Sequence, residues 1–168
     1  IQLQGKSAVD GSSSLAAAPV FTSPSFTDGG IASGVAATDT AVLQAKIDAL
    51  YAAGGGTLQL RGSEYKANLT LKDNVRIVGA GMGRTIISST TNAPILGVGT
   101  TAFNAAVTDL TIKGSVSAGS SQIGLQVEGT GQYWGFEIRN LWVQDCGGKG
   151  IYYGQNPFSV VIDAQDLA

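Results

Sequence analysis

Three glycines follow a short apolar segment in residues 74–88, NVRIVGAGMGRTIIS. Glycines placed after a strand bind phosphate groups when they open a helix whose N-terminus faces the phosphate. After Gly83 the chain is β-branched and disfavours a helix, and the spacing is G-x-G-x-G rather than G-x-G-x-x-G. We therefore predict that Gly79, Gly81 and Gly83 form a corner between two strands and that the chain binds no cofactor.

Histidine is absent from the 168 residues, and Cys146 is the only cysteine. These counts exclude a Ser-His-Asp triad, an imidazole base, the common type of zinc site and an internal disulfide within this polypeptide. We expect no metal site. Glycines flank Cys146 and no histidine can activate it, so we predict a packed thiol rather than a nucleophile.

The charge pattern argues against two classes of partner. Charged residues make up 13% of the chain, the formal net charge is −2, and the basic residues are scattered singly. Nucleic acids and anionic membranes select clustered Lys and Arg, so neither is an expected partner. No apolar stretch approaches the roughly 18 residues that span a bilayer, which predicts no membrane insertion.

Composition and periodicity divide the chain in two. Residues 1–38 are rich in Ser, Ala, Gly and Thr and predict an extended arm or linker, either a disordered leader or a segment that docks on a virion partner. Residues 39–168 begin with an amphipathic helix over Asp39–Gly54, with Leu43, Ile47, Leu50 and Tyr51 on its apolar face and Asp39 or Thr40 as N-cap. After Gly56 the pattern predicts only short strands separated by tight corners.

Some of these strands repeat. Asp109-Leu-Thr-Ile is echoed by Asn140-Leu-Trp-Val and, more weakly, by Asn74-Val-Arg-Ile. Units of roughly 20 to 35 residues that each supply a few short strands indicate a solenoid, in which stacked coils share one core. We expect the repeated Asn140 to bond backbone groups in a turn.

The chain from about Thr38 to Tyr153 resembles the pectate-lyase-like right-handed parallel β-helix superfamily, and the segment from Thr38 to Ile87 carries the N-terminal motif of that superfamily. The matching features are an Asp-Thr-led helix, Gly-Gly-Gly-Thr, Gly-x-Tyr, Asn-Val-x-Ile-x-Gly-x-Gly and Thr-x-Ile; one departure is Leu-Arg61-Gly62, where the family more often has Pro-Pro-Gly. The resemblance implies an all-β, right-handed parallel β-helix. Its N-terminal helix would cover the open end of the first coil, and the β-helix would be truncated after Ala168.

The same resemblance implies a polysaccharide as substrate or ligand. Glu128, Glu137, Asp145 and Asp163 fall in the later coils, where one face of the solenoid could gather acids, but no motif surrounds them and catalytic residues stay unassigned. Aromatic rings stack on sugars, pack in a core or line a subunit interface. The candidate carbohydrate-binding residues are Tyr133, Trp134, Tyr152 and Tyr153, whereas Phe136 and Trp142 are predicted to be packed.

Two functional hypotheses follow from the resemblance. In the first, the chain is the N-terminal part of a phage tailspike, a homotrimer in the virion that docks on tail or baseplate proteins through residues 1–38 and binds or degrades a bacterial surface polysaccharide. In the second, it is a fragment of a secreted bacterial polysaccharide lyase or glycoside hydrolase. A self-associating surface adhesin is a third possibility. The fragment alone is expected to degrade no polysaccharide.

Overall fold

The computed structural model describes residues 25–98, 103–128, 135–154 and 160–163, the last of these as backbone only. These parts of the chain contain one helix, α1 (Ala36–Ala52), and twelve short strands. The strands are β1 (Ser25–Asp28), β2 (Gly56–Gln59), β3 (Glu64–Lys66), β4 (Leu69–Leu71), β5 (Val75–Val78), β6 (Ile86–Ser88), β7 (Leu96–Val98), β8 (Ala106–Lys113), β9 (Ile123–Val127), β10 (Phe136–Gln144), β11 (Lys149–Tyr153) and β12 (Val160–Asp163).

All strand pairs are parallel, and they form three faces. The first face runs β1-β2-β5-β8-β10-β12, using the first halves of β8 and β10. The second face runs β3-β6 and then the second halves of β8 and β10. The third face runs β4-β7-β9-β11. The chain visits the three faces in turn and then begins a new coil, which is the arrangement of an all-β parallel β-helix, as predicted. Its handedness stays a prediction.

Apolar side chains stack in register inside the coils. On the first face, Leu58, Ile77, Val107 and Ile138 are direct neighbours on successive strands, and all are buried. Because strand side chains alternate between the two sides of a sheet, every second residue points inward and the residues between them point to solvent. Full burial of such a side chain contributes about 1.5–3 kcal/mol, so neighbouring coils stabilise each other through these columns.

Helix α1 packs against β2, β3 and β4 and so covers the first coil, which confirms the predicted capping role. Leu43, Ile47 and Leu50 are buried as expected, but Tyr51 is 47% exposed, so its assignment to the apolar face was wrong. Gly54 and the next two glycines have positive φ and end the helix as expected. In the described residues no helix is long and apolar enough to cross a membrane.

The predicted N-cap was also wrong, because the helix begins at Ala36 and Val35 occupies the capping position without a side-chain bond. Asp39 lies in the first turn and is 4% exposed. Its Oδ1 accepts hydrogen bonds from Ser33 N (2.7 Å) and Ser33 Oγ (2.6 Å), and its Oδ2 accepts one from Lys66 N (3.0 Å). Burial disfavours the Asp39 carboxylate, but these hydrogen bonds outweigh it and hold its pKa below the ordinary value.

Part of the predicted arm belongs to the folded structure. Strand β1 pairs with β2 on the first face. Asp28 at its end forms an ion pair with Arg61, and hydrogen bonds from Arg61 and from Gly30 N lower the pKa of Asp28 to about 2. Lys46 of α1 donates to the carbonyls of Asp28 (2.6 Å) and Gly29 (2.8 Å). Residues 1–24 lie outside the described ones, and a docking role for residues 1–38 stays a prediction.

Left-handed residues mark the corners between faces. Asp109 (φ 59°) and Asn140 (φ 46°) each bend one continuous strand from the first face to the second, and Asn140 Nδ2 donates to Asp109 Oδ1 at 2.8 Å. The turn position of Asn140 is confirmed, but its side chain bonds the carboxylate of Asp109 rather than the expected backbone groups. Asn74 is not their equivalent: it pairs instead with Asn104 (Nδ2 to Asn74 Oδ1, 3.3 Å) in a different column, at the start of the first face.

Candidate functional site

The four predicted sugar-binding aromatics separate in the structure. Tyr133 and Trp134 lie outside the described residues. Tyr152 and Tyr153 are successive residues of β11 and therefore point to opposite sides of the third face. Tyr153 packs against the buried core, whereas Tyr152 lies on the outer side, in register with Gln126 of β9. Sugar binding by these residues stays a prediction, which the geometry favours for Tyr152.

Four polar residues meet around that ring, and we name them the Tyr152 cluster: Gln126, Glu128, Lys149 and Tyr152. The Lys149 ammonium lies 3.7 Å from the centroid of the Tyr152 ring. Tyr152 Oη donates to Glu128 Oε1 at 3.4 Å, and Gln126 Nε2 donates to Glu128 Oε2 at 2.9 Å. A cation, an aromatic ring, a carboxylate and an amide therefore share one exposed surface.

The backbone around the cluster is shaped by glycine. A Cβ on Gly154 would lie 2.5 Å from Glu128 Cγ, and one on Gly124 would lie 2.5 Å from Gly150 O. Real Cβ atoms do not approach other atoms so closely, so these positions need glycine for β9 and β11 to sit at this distance.

Gln122 fixes the segment that leads into β9. Its side chain is fully buried, Nε2 donates to the carbonyls of Ser89 and Thr91 (both 3.0 Å), and Oε1 accepts from Ser115 N (2.8 Å) and Gly147 N (3.0 Å). One side chain thus joins three successive coils where the second face turns into the third. Neither composition nor motifs distinguish this residue, since a lone Gln in a Ser-rich loop has no characteristic pattern.

The acidic residues of the later coils do not meet. Glu128 lies on the third face, and Asp145 lies at the corner that follows the second face. Glu137 is on the first face, where its carboxylate pairs with Arg76 (2.8 Å) and Arg139 (3.6 Å). Asp163 ends β12, of which only the backbone is described. The described residues contain no group of three or more acidic, Cys or His residues suited to a metal ion.

Two other aromatic predictions have clear outcomes. Phe136 is completely buried, as expected. Trp142 was predicted to be packed, but it is 46% exposed on the outer side of the second face. Its alternation with Leu141 and Val143, both of which pack against the core, was the sequence signal that it points outward.

Cys146 is a packed thiol, as predicted: it is half-buried, lies against the core and donates weakly to Gln144 O at 3.6 Å. Burial, and then the negative charge of Asp145, raise its pKa. Gly79, Gly81 and Gly83 form a corner, as predicted. After it the chain enters strand β6 and not a helix, so the backbone geometry of a dinucleotide site is not formed there.

No model of a known protein family matches the chain. The likeness is to mannuronan C5-epimerases. Among curated proteins, the Azotobacter vinelandii epimerases AlgE2 and AlgE4 are 55% and 50% identical over 58 aligned residues, which represent 29% of this chain. Alginate lyase 7 of the same organism is 48% identical over 58 residues. The aligned part spans only 6%, 10% and 7% of these three proteins, respectively.

A solved structure extends the similarity over more of the chain. The A-module of the Azotobacter vinelandii epimerase AlgE4 superimposes with a TM-score of 0.56 and 29% identity, covering 74% of this chain and 37% of that module. The A-module of AlgE6 gives the same values. The relatives of the chain are thus polysaccharide-modifying enzymes with a parallel β-helix, consistent with a pectate-lyase-like resemblance. These epimerase and lyase relatives favour the polysaccharide-enzyme hypothesis over the tailspike hypothesis.

Proposed function

We propose that the chain forms helix-capped coils of an enzyme that modifies a uronic-acid polysaccharide of the mannuronan or alginate type. The observation that carries this proposal is the agreement of two similarities: 55% identity over 58 residues to one mannuronan C5-epimerase and 29% identity over 74% of the chain to the A-module of another. A location outside the cell goes with this proposal, because a long anionic polysaccharide is an extracellular substrate.

We also infer that the β-helix is right-handed. Connections that join two parallel strands of one sheet are right-handed in about 98% of cases, since a right-twisted strand packs back onto its sheet in that sense. Each coil here makes such a connection on the first face, from β2 to β5 and from β5 to β8.

Within the proposed function, we assign the Tyr152 cluster to substrate binding. A uronic acid has a carboxylate for the Lys149 ammonium, an apolar ring face for Tyr152 and hydroxyl groups for Glu128 and Gln126. The ammonium covers one side of the Tyr152 ring, so it is placed to pair with the carboxylate of a sugar lying beside that ring. We assign no chemical step to the cluster.

Binding of mannuronan oligosaccharides, measured by calorimetry, tests this assignment. Two aromatic side chains in contact gain about 0.5–1.5 kcal/mol beyond their area burial. If the ring of Tyr152 gains a similar amount against a sugar face, Tyr152→Ala is expected to weaken binding roughly two- to tenfold. The matched control is Tyr51→Ala, because Tyr51 is also an exposed tyrosine with a lysine ammonium over its ring, that of Lys72 at 5.5 Å. An equal loss in both variants, or no binding by the unaltered chain, would contradict the proposal.

Activity and assembly are tested separately. Proton NMR of mannuronan after incubation with the longer protein reports epimerisation, and ultraviolet absorbance reports the double bond left by a lyase. The chain itself is expected to be inactive in both assays. Light scattering gives its mass in solution, and a trimer would return support to the tailspike hypothesis and its virion partners.

A further inference from the structure

A groove of about 200 Å³ lies on the outer side of the second face, away from the Tyr152 cluster. We name it the Ser88 groove. Strands β3, β6 and β8 form its floor, and the first residue of α1 forms one wall. The residues that line it include Glu64, Lys66, Ser88, Thr90 and Lys113.

Two lysines face each other across the groove. Lys66 is in register with Ser88, and Ser88 is in register with Lys113. Adjacent strands are about 4.8 Å apart, so the two lysine backbones are separated by roughly 10 Å along the solenoid. Neither ammonium forms an ion pair with any residue that the structure describes. Two positive charges are therefore available to a ligand, against the single negative charge of Glu64.

Hydroxyl groups line the floor between the lysines. Ser89 Oγ and Thr91 Oγ1 both donate to Asn68 Oδ1, at 2.8 and 3.1 Å, and the half-buried Asn68 amide donates in turn to Pro94 O at 2.7 Å. The Ser88 and Thr90 hydroxyls lie in the same groove and are not used in this network. These hydrogen bonds hold the floor in place, and Ser88 and Thr90 offer hydroxyls to a ligand.

We propose that the Ser88 groove is a second carbohydrate-binding site, selective for a sugar that bears a carboxylate. Lys66 and Lys113 would pair with carboxylates, and the hydroxyls of Ser88 and Thr90 would bond those of the sugar. The groove volume of about 200 Å³ exceeds that of a simple inorganic ion, so the groove has room for a sugar unit. This site goes beyond the proposed function, because it lies on a different face and requires no reaction.

The test is a titration of the ¹⁵N-labelled 168-residue chain with mannuronan oligosaccharide, neutral mannose oligosaccharide and sodium sulfate, followed by amide chemical shifts. Mannuronan oligosaccharide is expected to shift the amide signals of residues 88–91 and 113–114. Neutral mannose oligosaccharide is expected to leave these signals unchanged. The double variant Lys66→Ala/Lys113→Ala is expected to bind mannuronan oligosaccharide at least about tenfold more weakly, as measured from the shifts of these amides. A loss of this size is usual for charge-assisted contacts.

Two further variants sharpen the result. Glu64→Gln removes the one negative charge of the groove and is expected to tighten the binding of mannuronan oligosaccharide about two- to threefold. For every variant, the affinity should fall as the salt concentration rises. Lys72→Ala is the matched control, because this lysine pairs with Asp48 (3.6 Å) beside α1 and not in the groove. The affinity of this variant for mannuronan oligosaccharide, measured at the amides of residues 88–91, should equal that of the unaltered chain.

The outcomes separate the two proposals. Shifts confined to Gln126 and Tyr152 would overturn the groove proposal and leave the proposed function standing. Shifts at residues 88–91 without any at Tyr152 would support the groove and count against the Tyr152 cluster. Equal affinity for sulfate and for mannuronan oligosaccharide would overturn the groove as a sugar site, since it would then bind any anion.

Discussion

Replacing Gln122 tests whether one buried amide fastens the coils together. Gln122→Ala removes four hydrogen bonds and leaves two carbonyls and two N–H groups without their partner. Each buried polar group left unpaired costs about 1–3 kcal/mol, and water will reach some of these groups because most of the bonds are only partly buried. We expect a total loss of about 3–5 kcal/mol in the free energy of unfolding.

Urea denaturation followed by circular dichroism measures this loss. The control is Gln126→Ala, which removes a glutamine four residues further along. Among the described residues, its side chain bonds only the exposed Glu128. That variant is expected to lose less than about 0.5 kcal/mol, as surface substitutions usually do. If Gln122→Ala is as mild as Gln126→Ala, the reasoning that this amide joins the coils is refuted.

A third variant separates shape from hydrogen bonding. Gln122→Glu keeps the size of the side chain, but its carboxylate cannot donate to the carbonyls of Ser89 and Thr91. Burial beside two carbonyls raises the pKa of such a carboxyl, so its protonated form is favoured in the folded state. The stability deficit of this variant relative to the unaltered chain should therefore shrink as pH falls from 7 towards 4.

Two further predictions concern the corner and the helix. Gly79→Ala should lower the free energy of unfolding by more than about 2 kcal/mol, because its Cβ would lie 2.1 Å from Asp109 O. Gly83→Ala should cost about 1–2 kcal/mol, because Gly83 has a φ of 73° but open space around it. Thermal unfolding compares the two variants, and equal losses would contradict the contact argument. The pKa of Asp39 is lowered by folding, so its stabilisation is present at neutral pH and is lost as pH falls through the ordinary carboxyl range towards the folded value. The melting temperature should therefore fall more steeply from pH 7 to pH 2.5 for the unaltered chain than for Asp39→Asn. Parallel curves for the two proteins would refute a stabilising role of the Asp39 carboxylate.

Much of the architecture follows from local pattern. The alternation in Val75–Val78 and its relatives fixes which side chains point inward, and Gly54 to Gly56 mark where the helix ends. The helix cap was mispredicted because Asp39 has two uses that the sequence does not distinguish. As an N-cap it would bond its own helix, but in the structure it bonds Ser33 and Lys66 across the end of the first coil.

The sites were less accessible to sequence reasoning, because they depend on which coils become neighbours. Lys66 and Lys113 are 47 positions apart and meet only through the register of β3, β6 and β8. The similarity of Asn74 to Asp109 and Asn140 was misleading for the same reason. All three are left-handed turn residues, so local sequence marks the conformation but not the column to which each belongs.

The corner formed by Asp109 and Asn140 has a consequence for how such a chain can change. Only one residue separates the first face from the second there, and its side chain is bonded to the coil above, so this edge tolerates neither lengthening nor shortening. An insertion there would separate Asp109 from Asn140, so this edge holds the first and second faces in a constant relation from one coil to the next.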